Sequence, residues 1–417
     1  MPHGRRPATP GRLGGRGVVV RRVARLAAAL SRQLRGGSGL VVSGHLMLRG
    51  APDALRQLAA GRRIILVSGT NGKTTTTRLV VASLDDGDPV TWNRDGANTA
   101  AGLAGALVDD DAVRGVLEVD EAWLPWAVSN AAPTAVVLTN LSRDQLSRHH
   151  EVGALAGAWR QGLAGIRVAV ANADDPDVVW PALAARRQVW VAAGCDWTAD
   201  SLVCPACGGP CRHRQGHWAC SQCDLHRPTP DWWLEGDVLH SARTSVRLTL
   251  RLPGRFNLGN AALAVVAAHV TEGVPLEAAA ARVGEVEDVA GRFERVALGR
   301  HDVRVMLAKN PAGWLAMLDL MTQDPHPAVL MLNAEGVDGR DPSWLYDVSF
   351  APLRGRTVVV QGHRATDLLV RLEHDGVEAV QVPGALDDAL ARLPAGRVDV
   401  VGNYTAFLDA VRRLRRG

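Results

Sequence analysis

Ser68-Gly69-Thr70-Asn71-Gly72-Lys73-Thr74-Thr75 is a run whose residue types suit phosphate. Glycines let a backbone turn its N–H groups toward phosphate oxygens, and a helix starting there adds a favourable dipole. The Lys73 ammonium reaches the β- and γ-phosphates of a nucleotide, and the Thr74 hydroxyl holds magnesium. A general phosphate loop has a glycine five positions before Gly72; here that position is Val67 and the glycine is Gly69, a more compact variant. Lys73 and Lys309 are the only lysines among 47 basic residues, so both mark places where arginine has not substituted for a compact ammonium. Glu118-Val119-Asp120-Glu121 supplies carboxylates for a cation. Cys204-Pro-Ala-Cys207 and Cys220-Ser-Gln-Cys223 form two CxxC knuckles twelve residues apart, a spacing that closes four thiolates tetrahedrally on Zn²⁺. Four sulfurs leave no open coordination position, so that centre is structural; Cys211, His213 and His217 lie in the gap as competing ligands and are expected to be bystanders.

These groups need elements to hold them. Ile64 to Val67 is a short apolar run before a Gly-rich turn, the pattern of a buried parallel strand feeding a helix. Similar runs at Gly115 to Val119, Ala135 to Thr139, Val168 to Ala171 and Val189 to Ala192 are separated by Ala- and Leu-rich helical patterns, which predicts a doubly wound α/β domain. Glu118 then closes a strand beside the phosphate loop, at the carboxyl end of the sheet. Cysteines and tryptophans interrupt the alternation over 195–233, Ser245 to Arg251 alternates like an exposed strand, and Asn257 to Val270 reads as a buried helix. Val303 to Ala308, Ala328 to Leu332, Thr357 to Gln361 and Val398 to Val401 predict a second, Rossmann-like α/β domain. The expected organisation is a basic lead-in helix over 1–40, a central nucleotide-binding domain over 41–297 carrying the cysteine insertion, and a C-terminal domain over 298–417.

The compact GTNGKTT loop is the form found in Mur ligases and folylpolyglutamate synthases, and further segments follow in that family's order. Thr139-Asn140-Leu141-Ser142-Arg143-Asp144-Gln145-Leu146 resembles its segment after a central strand. Pro253-Gly254-Arg255-Phe256-Asn257 with Asn260 resembles the segment opening a helix near the adenine, and Gly291-Arg292-Phe293-Glu294 its interdomain Gly-Arg-x-Glu. Lys309-Asn310-Pro311 stands where amino-acid-adding members carry His-Asn-Pro. The resemblance covers roughly residues 40 to 410. It implies ATP held by the Gly69 to Thr75 loop, Asn260 and Arg292, with Mg²⁺ on Thr74 and Glu118; Glu121 stays open as the alternative carboxylate. Gln145 and Lys309 depart from the amino-acid-adding pattern, where both positions are histidine.

A four-cysteine ribbon inserted in a Mur-type core, together with Asp338-Gly339-Arg340-Asp341-Pro342-Ser343-Trp344-Leu345-Tyr346-Asp347, is similar to the ligase-like subunits of lipid II isoglutaminyl synthases. That likeness implies ATP-dependent amidation of the D-glutamate α-carboxylate of the lipid II stem peptide through an acyl phosphate. It also implies Asp347 offered to a GatD-like glutaminase partner that supplies ammonia, with Lys309 suited to that small nucleophile. An amino-acid-adding or folylpolyglutamate ligase and a zinc-ribbon NTPase acting on nucleic acid are the competing readings. The 47 basic and 43 acidic residues leave a net charge of only +4, and the ribbon lacks a dense basic patch, so no nucleic-acid partner is expected. The apolar stretches near the N-terminus are too short and too broken by arginine for a signal or a membrane span. The expected location is cytoplasmic. The stretch Val23 to Leu34 reads either as a basic amphipathic helix on the inner membrane face or as a helix packed on its own domain.

Overall fold

The computed structural model describes residues 15–35, 39–143, 152–287, 293–335 and 341–414. The chain forms two compact units, the first made of residues to Leu141, Val152–Arg251 and Asn257–Val286, the second of Ser142–Glu151, Leu252–Phe256 and Glu287–Gly417. Arg292, Gln145 and Asp338 to Arg340, singled out above, lie outside the described residues.

The first unit is built on a nine-stranded sheet. Its strands are β1 (Arg63–Ser68), β2 (Val90–Trp92), β3 (Arg114–Val119), β4 (Ala135–Leu138), β5 (Ala169–Asn172) and β6 (Gln188–Ala192), then β9 (Trp232–Glu235), β10 (Val238–Ser241) and β11 (Ser245–Arg247), in the order β11-β10-β9-β6-β5-β4-β1-β3-β2. The strands from β2 through β6 to β9 pair in parallel, and only the β9-β10-β11 edge is antiparallel. Ile64 to Val67 and Ala135 to Leu138 are buried throughout, as expected of strands covered on both faces. Ser245 onward is indeed an edge strand, but only to Arg247. The cysteine excursion is a separate hairpin of β7 (Cys211–Arg214) and β8 (His217–Cys220), while Trp232 and Trp233, read from the sequence as part of it, belong to the large sheet.

Helices α1 (Gly15–Arg35), α2 (Leu40–Gly50), α3 (Ala54–Ala59), α4 (Lys73–Ser83), α5 (Ala100–Asp109), α6 (Leu124–Ala131), α7 (Val152–Gly162), α8 (Pro176–Ala182), α9 (Arg255–Glu272) and α10 (Leu276–Gly284) complete this unit. Within the Gly- and Arg-rich start of the chain, Gly15–Arg35, Leu40–Gly50 and Ala54–Ala59 are helical. From Gly259 to Ala268 every residue of α9 is buried, because this stretch is apolar all round but for Asn260. After β1 the chain builds β2 and β3 on one side, then crosses to place β4 on the other. The carboxyl ends of β1 and β4 therefore flank a reversal of strand order, where open α/β sheets bind ligands.

The second unit has a six-stranded sheet of β12 (Phe293–Leu298), β13 (His301–Leu307), β14 (Ala328–Met331), β15 (Val358–Gln361), β16 (Ala379–Gln381) and β17 (Gly396–Gly402), ordered β12-β13-β17-β14-β15-β16. All pairs but β12 with β13 are parallel. Its helices are α11 (Pro311–Gln323), α12 (Ala365–His374), α13 (Leu386–Ala391) and α14 (Tyr404–Leu414), with separate apolar cores on the two sheet faces.

Candidate active site and metal centre

The loop between β1 and α4 is shaped by two glycines. Gly69 has φ 146° and Gly72 φ 81°, and a Cβ on them would lie 2.0 Å from Thr139 Oγ1 and 2.5 Å from Asn260 Oδ1. Only glycine fits either place. The segment after β4 fastens the loop from outside. Thr70 N–H donates to the Asn140 carbonyl at 2.8 Å, Asn71 N–H to Asn140 Oδ1 at 2.9 Å, and the Thr139 hydroxyl to the Asn71 carbonyl at 2.8 Å. Asp175, fully buried at the start of α8, accepts in turn from Leu141 N–H at 2.8 Å and Asp177 N–H at 2.9 Å. Burial pushes the Asp175 carboxyl up to about 7.

Lys73 opens α4 with its ammonium inside the loop. It donates to the carbonyls of Gly69 and Thr70 and, at 2.8 Å, to Glu121 Oε2, in an ion pair with under a tenth of either side chain exposed. Glu118 is also buried; it lies level with Val67 of β1, and its Oε1 accepts from Asn98 Nδ2 at 3.1 Å. Asn93 brackets the same residue through both backbone groups, each at 2.7 Å. Asn260 of α9 accepts from Thr76 of α4 at 3.2 Å and donates to Asn257, so α9 abuts the phosphate loop. Lys73, Glu118, Glu121 and Asn260 therefore meet at one end of the sheet, with Thr74 and Thr75 on the first turn of α4. Asn140, Asp175 and Asn98, which the sequence reading gave no role, hold this end together.

The four knuckle cysteines converge. Their sulfurs all lie within 4.8 Å of one another, with Cys204 to Cys223 at 3.7 Å and Cys207 to Cys220 at 3.5 Å. A tetrahedron with metal–sulfur bonds of about 2.3 Å has edges of about 3.8 Å, which fits this set. Backbone N–H groups of Gly209 and Gln222 point at Cys207 and Cys220, and the latter bond draws the Cys220 thiol down to about 6. Cys211 pairs across the hairpin with Cys220 and stands outside the four. The hairpin rests on α8 through Trp218 and Leu225 against Val179, with Trp218 Nε1 donating to the Ala173 carbonyl at 3.1 Å.

In the second unit Lys309 stands two residues past the end of β13, ahead of Asn310, whose side chain caps α11 by accepting from Gly313 N–H at 2.8 Å. Asp347 ends a 3₁₀ turn, Ser343–Asp347, and is exposed, as is Tyr346 beside it. The turn is anchored from below. Trp344 stacks on Trp314, and the buried Arg371 of α12 donates to the carbonyls of Leu345 at 3.1 Å and Val348 at 2.6 Å while pairing with Asp375 at 2.7 Å. Arg143, which groups with this unit, lies 3.4 Å from Asp347 Oδ2.

A glycine-shaped loop between a parallel strand and a helix, a buried Lys73–Glu121 pair beside Glu118, and a second unit on a mostly parallel sheet define an α/β class. Residues 67–200 match the profile of the Mur ligase middle domain, and residues 307–407 match that of the MurT ligase C-terminal region. The chain is 29% identical to the lipid II isoglutaminyl synthase (glutamine-hydrolyzing) subunit MurT of Staphylococcus aureus (strain N315) over 94% of this chain and 97% of that one. It is 27% identical to the subunit of the same name from Streptococcus pneumoniae (strain ATCC BAA-255 / R6) over 90% and 92%. Among solved structures, a pseudomurein peptide ligase type C from Methanothermus fervidus superimposes with TM-score 0.68 at 16% identity, covering 92% of this chain and 85% of that one. The folylpolyglutamate synthase of Mycobacterium tuberculosis, complexed with ADP and AMPPCP, does so with TM-score 0.59 at 18% identity over 94% and 98%. The chain belongs to the Mur ligase family of enzymes, which use ATP and Mg²⁺, and within it to the MurT group.

Proposed function

We propose that this chain is the ligase subunit of a glutamine-dependent amidating enzyme, converting the D-glutamate α-carboxylate of the lipid II stem peptide to D-isoglutamine. The observation that carries this reading is the exposed Asp347 on its anchored turn, in a chain similar to MurT subunits over 90–94% of its length that also keeps the GTNGKTT loop. A carboxylate does not react with ammonia near neutral pH, because the anion repels attack and oxide is a poor leaving group. Transfer of the γ-phosphoryl group of ATP to the carboxylate removes both obstacles, giving an acyl phosphate and ADP. Ammonia then attacks the acyl carbon, phosphate leaves, and the nitrogen loses a proton. In this scheme the N–H groups of residues 69–75 and the Lys73 ammonium neutralise phosphate charge, and Asn260 and Arg292 position the nucleotide.

Thr74 and Glu118 are the proposed Mg²⁺ ligands. Glu121 already neutralises Lys73, whereas Glu118 has no ion pair among the described residues. Magnesium supplies charge neutralisation to the transferring phosphoryl group. Lys309 is assigned to the acyl-acceptor side, and Asp347 to a GatD-like glutaminase whose catalytic histidine it orients.

The test is ATP turnover by the purified chain with lipid II and ammonium chloride, followed by mass analysis of the stem peptide. A product lighter by about one mass unit, the difference between acid and amide, supports the reading. An amino acid joined instead would make it an amino-acid-adding ligase, and ATP turnover that depends on DNA or RNA would point to a nucleic-acid enzyme.

The four-cysteine centre is proposed to hold one structural Zn²⁺. Elemental analysis is expected to give one zinc per chain, and Cys204→Ser to abolish it. Chelation should lower the Tm of the loaded protein, because the cluster fixes the hairpin that covers Val179 and Ala173. Full zinc content in the Cys204→Ser chain would sink the assignment.

A further inference from the structure

Helix α1 is fixed on one side and, among the described residues, uncovered on the other. Ala24 and Ala28 are fully buried, and Arg21 and Arg25 donate to the Val108 carbonyl at the end of α5, at 3.1 and 2.7 Å, and to Asp111. These bonds set the rotation of the helix about its axis. On the opposite side Val19, Val23, Leu26 and Leu30 follow the spacing i, i+4, i+7, i+11 and are 62%, 53%, 72% and 57% exposed. An apolar stripe at helical period normally faces a core; this one faces out, with exposed Arg22 at its margin.

The charge around it is one-sided. Residues 1–52 contain ten arginines and no aspartate or glutamate, whereas the other 365 residues carry 37 basic and 43 acidic side chains. The small net charge of the chain therefore hides a strongly cationic end on an otherwise acidic protein. Among the described residues no helix is long and apolar enough to cross a membrane. Leucine and valine on one line, with Arg22 exposed at its margin and no acidic residue within the helix itself, are what lets a helix lie in a lipid interface, the apolar line among acyl chains and that guanidinium at anionic headgroups, while Arg21 and Arg25 stay engaged with Asp111 on the packed side. We infer that α1 docks on an anionic lipid surface through Val19, Val23, Leu26 and Leu30, lying flat and carrying the first unit with it. The inference adds to the proposed function a surface that brings the enzyme to a lipid-linked substrate, and it rests on that reading only for its purpose.

Flotation of the full chain with vesicles containing no lipid II separates the two. Phosphatidylglycerol vesicles should bind it at least about tenfold more than phosphatidylcholine vesicles, with the difference shrinking in high salt. Leu26→Glu with Leu30→Glu should cut binding at least about tenfold with Tm unchanged, since both side chains are in solvent; Arg22→Glu should weaken it less. Amidation of detergent-solubilised lipid II should survive in the double variant. Equal binding of parent and double variant, or no binding to anionic vesicles, overturns the inference. So does a lipid-free parent chain that doubles its mass in sedimentation while the double variant does not, which would make the stripe an interface between copies.

Discussion

Lys73→Arg should lower ATP turnover by about 10²- to 10³-fold, the usual loss when one preorganised donor to a developing charge is removed, while leaving the fold intact. The Lys73 ammonium is a compact point inside a loop that two glycines and Asn140 close tightly, and it donates to the Gly69 and Thr70 carbonyls and to Glu121 at once. A guanidinium keeps the charge but is planar and larger, so it can hold the Glu121 pair only by displacing the loop carbonyls. Lys73→Ala differs in kind. It leaves Glu121 buried without its cation, a change that costs about 3–5 kcal/mol in comparable pairs, so activity and stability should fall together. The comparison is read from steady-state phosphate release and Tm: Arg inactive and stable, Ala inactive and destabilised. An active Lys73→Arg chain would remove Lys73 from phosphoryl transfer.

The parts readable in the sequence were those with a local cause. β1, β4 and β5 are buried on both faces and show as short apolar runs, β6 alternates buried and half-buried residues, and the compact loop announces itself by glycine spacing. The four cysteines were legible because two CxxC pairs at that separation are the pattern of a metal-ligand set. The remainder depends on neighbours distant along the chain. Thr139 and Asn140 lock a loop about 70 residues earlier, and nothing near Glu121 says that it will neutralise Lys73. Trp232 and Trp233 read as part of the cysteine insertion because tryptophans cluster there, yet their strand finds β6. The three-residue strands β2 and β16 are too short to show a period. The lead-in posed the opposite problem: its apolar residues at helical spacing left a packed face and a docking face equally readable, and packing takes Ala24, Ala28 and part of Val20 while Val19, Val23, Leu26 and Leu30 stay exposed.

Asp347→Asn should abolish glutamine-dependent amidation yet leave ammonia-dependent amidation within about twofold. The two outcomes differ because the proposed role of Asp347 lies outside the phosphoryl-transfer site. An aspartate that orients a catalytic histidine contributes roughly 10⁴ in kcat, and its amide isostere keeps the shape while imposing the wrong tautomer. The 3₁₀ turn gives the carboxylate what such a role needs, because Arg371, Trp344 and Asp375 fix its backbone from below and Asp347 stays exposed at its end. Its ion pair to the partly exposed Arg143 is worth at most about 1 kcal/mol, so a partner histidine can replace it. Arg143→Gln should therefore change glutamine use only modestly, and Arg371→Ala should damage it by loosening the turn, with a lower Tm that Asp347→Asn does not share. If Asp347→Asn lowers ammonia- and glutamine-dependent rates equally, the residue serves the ligase chemistry itself. If it lowers neither, the partner carries a complete catalytic set of its own, and the exposed turn has another purpose.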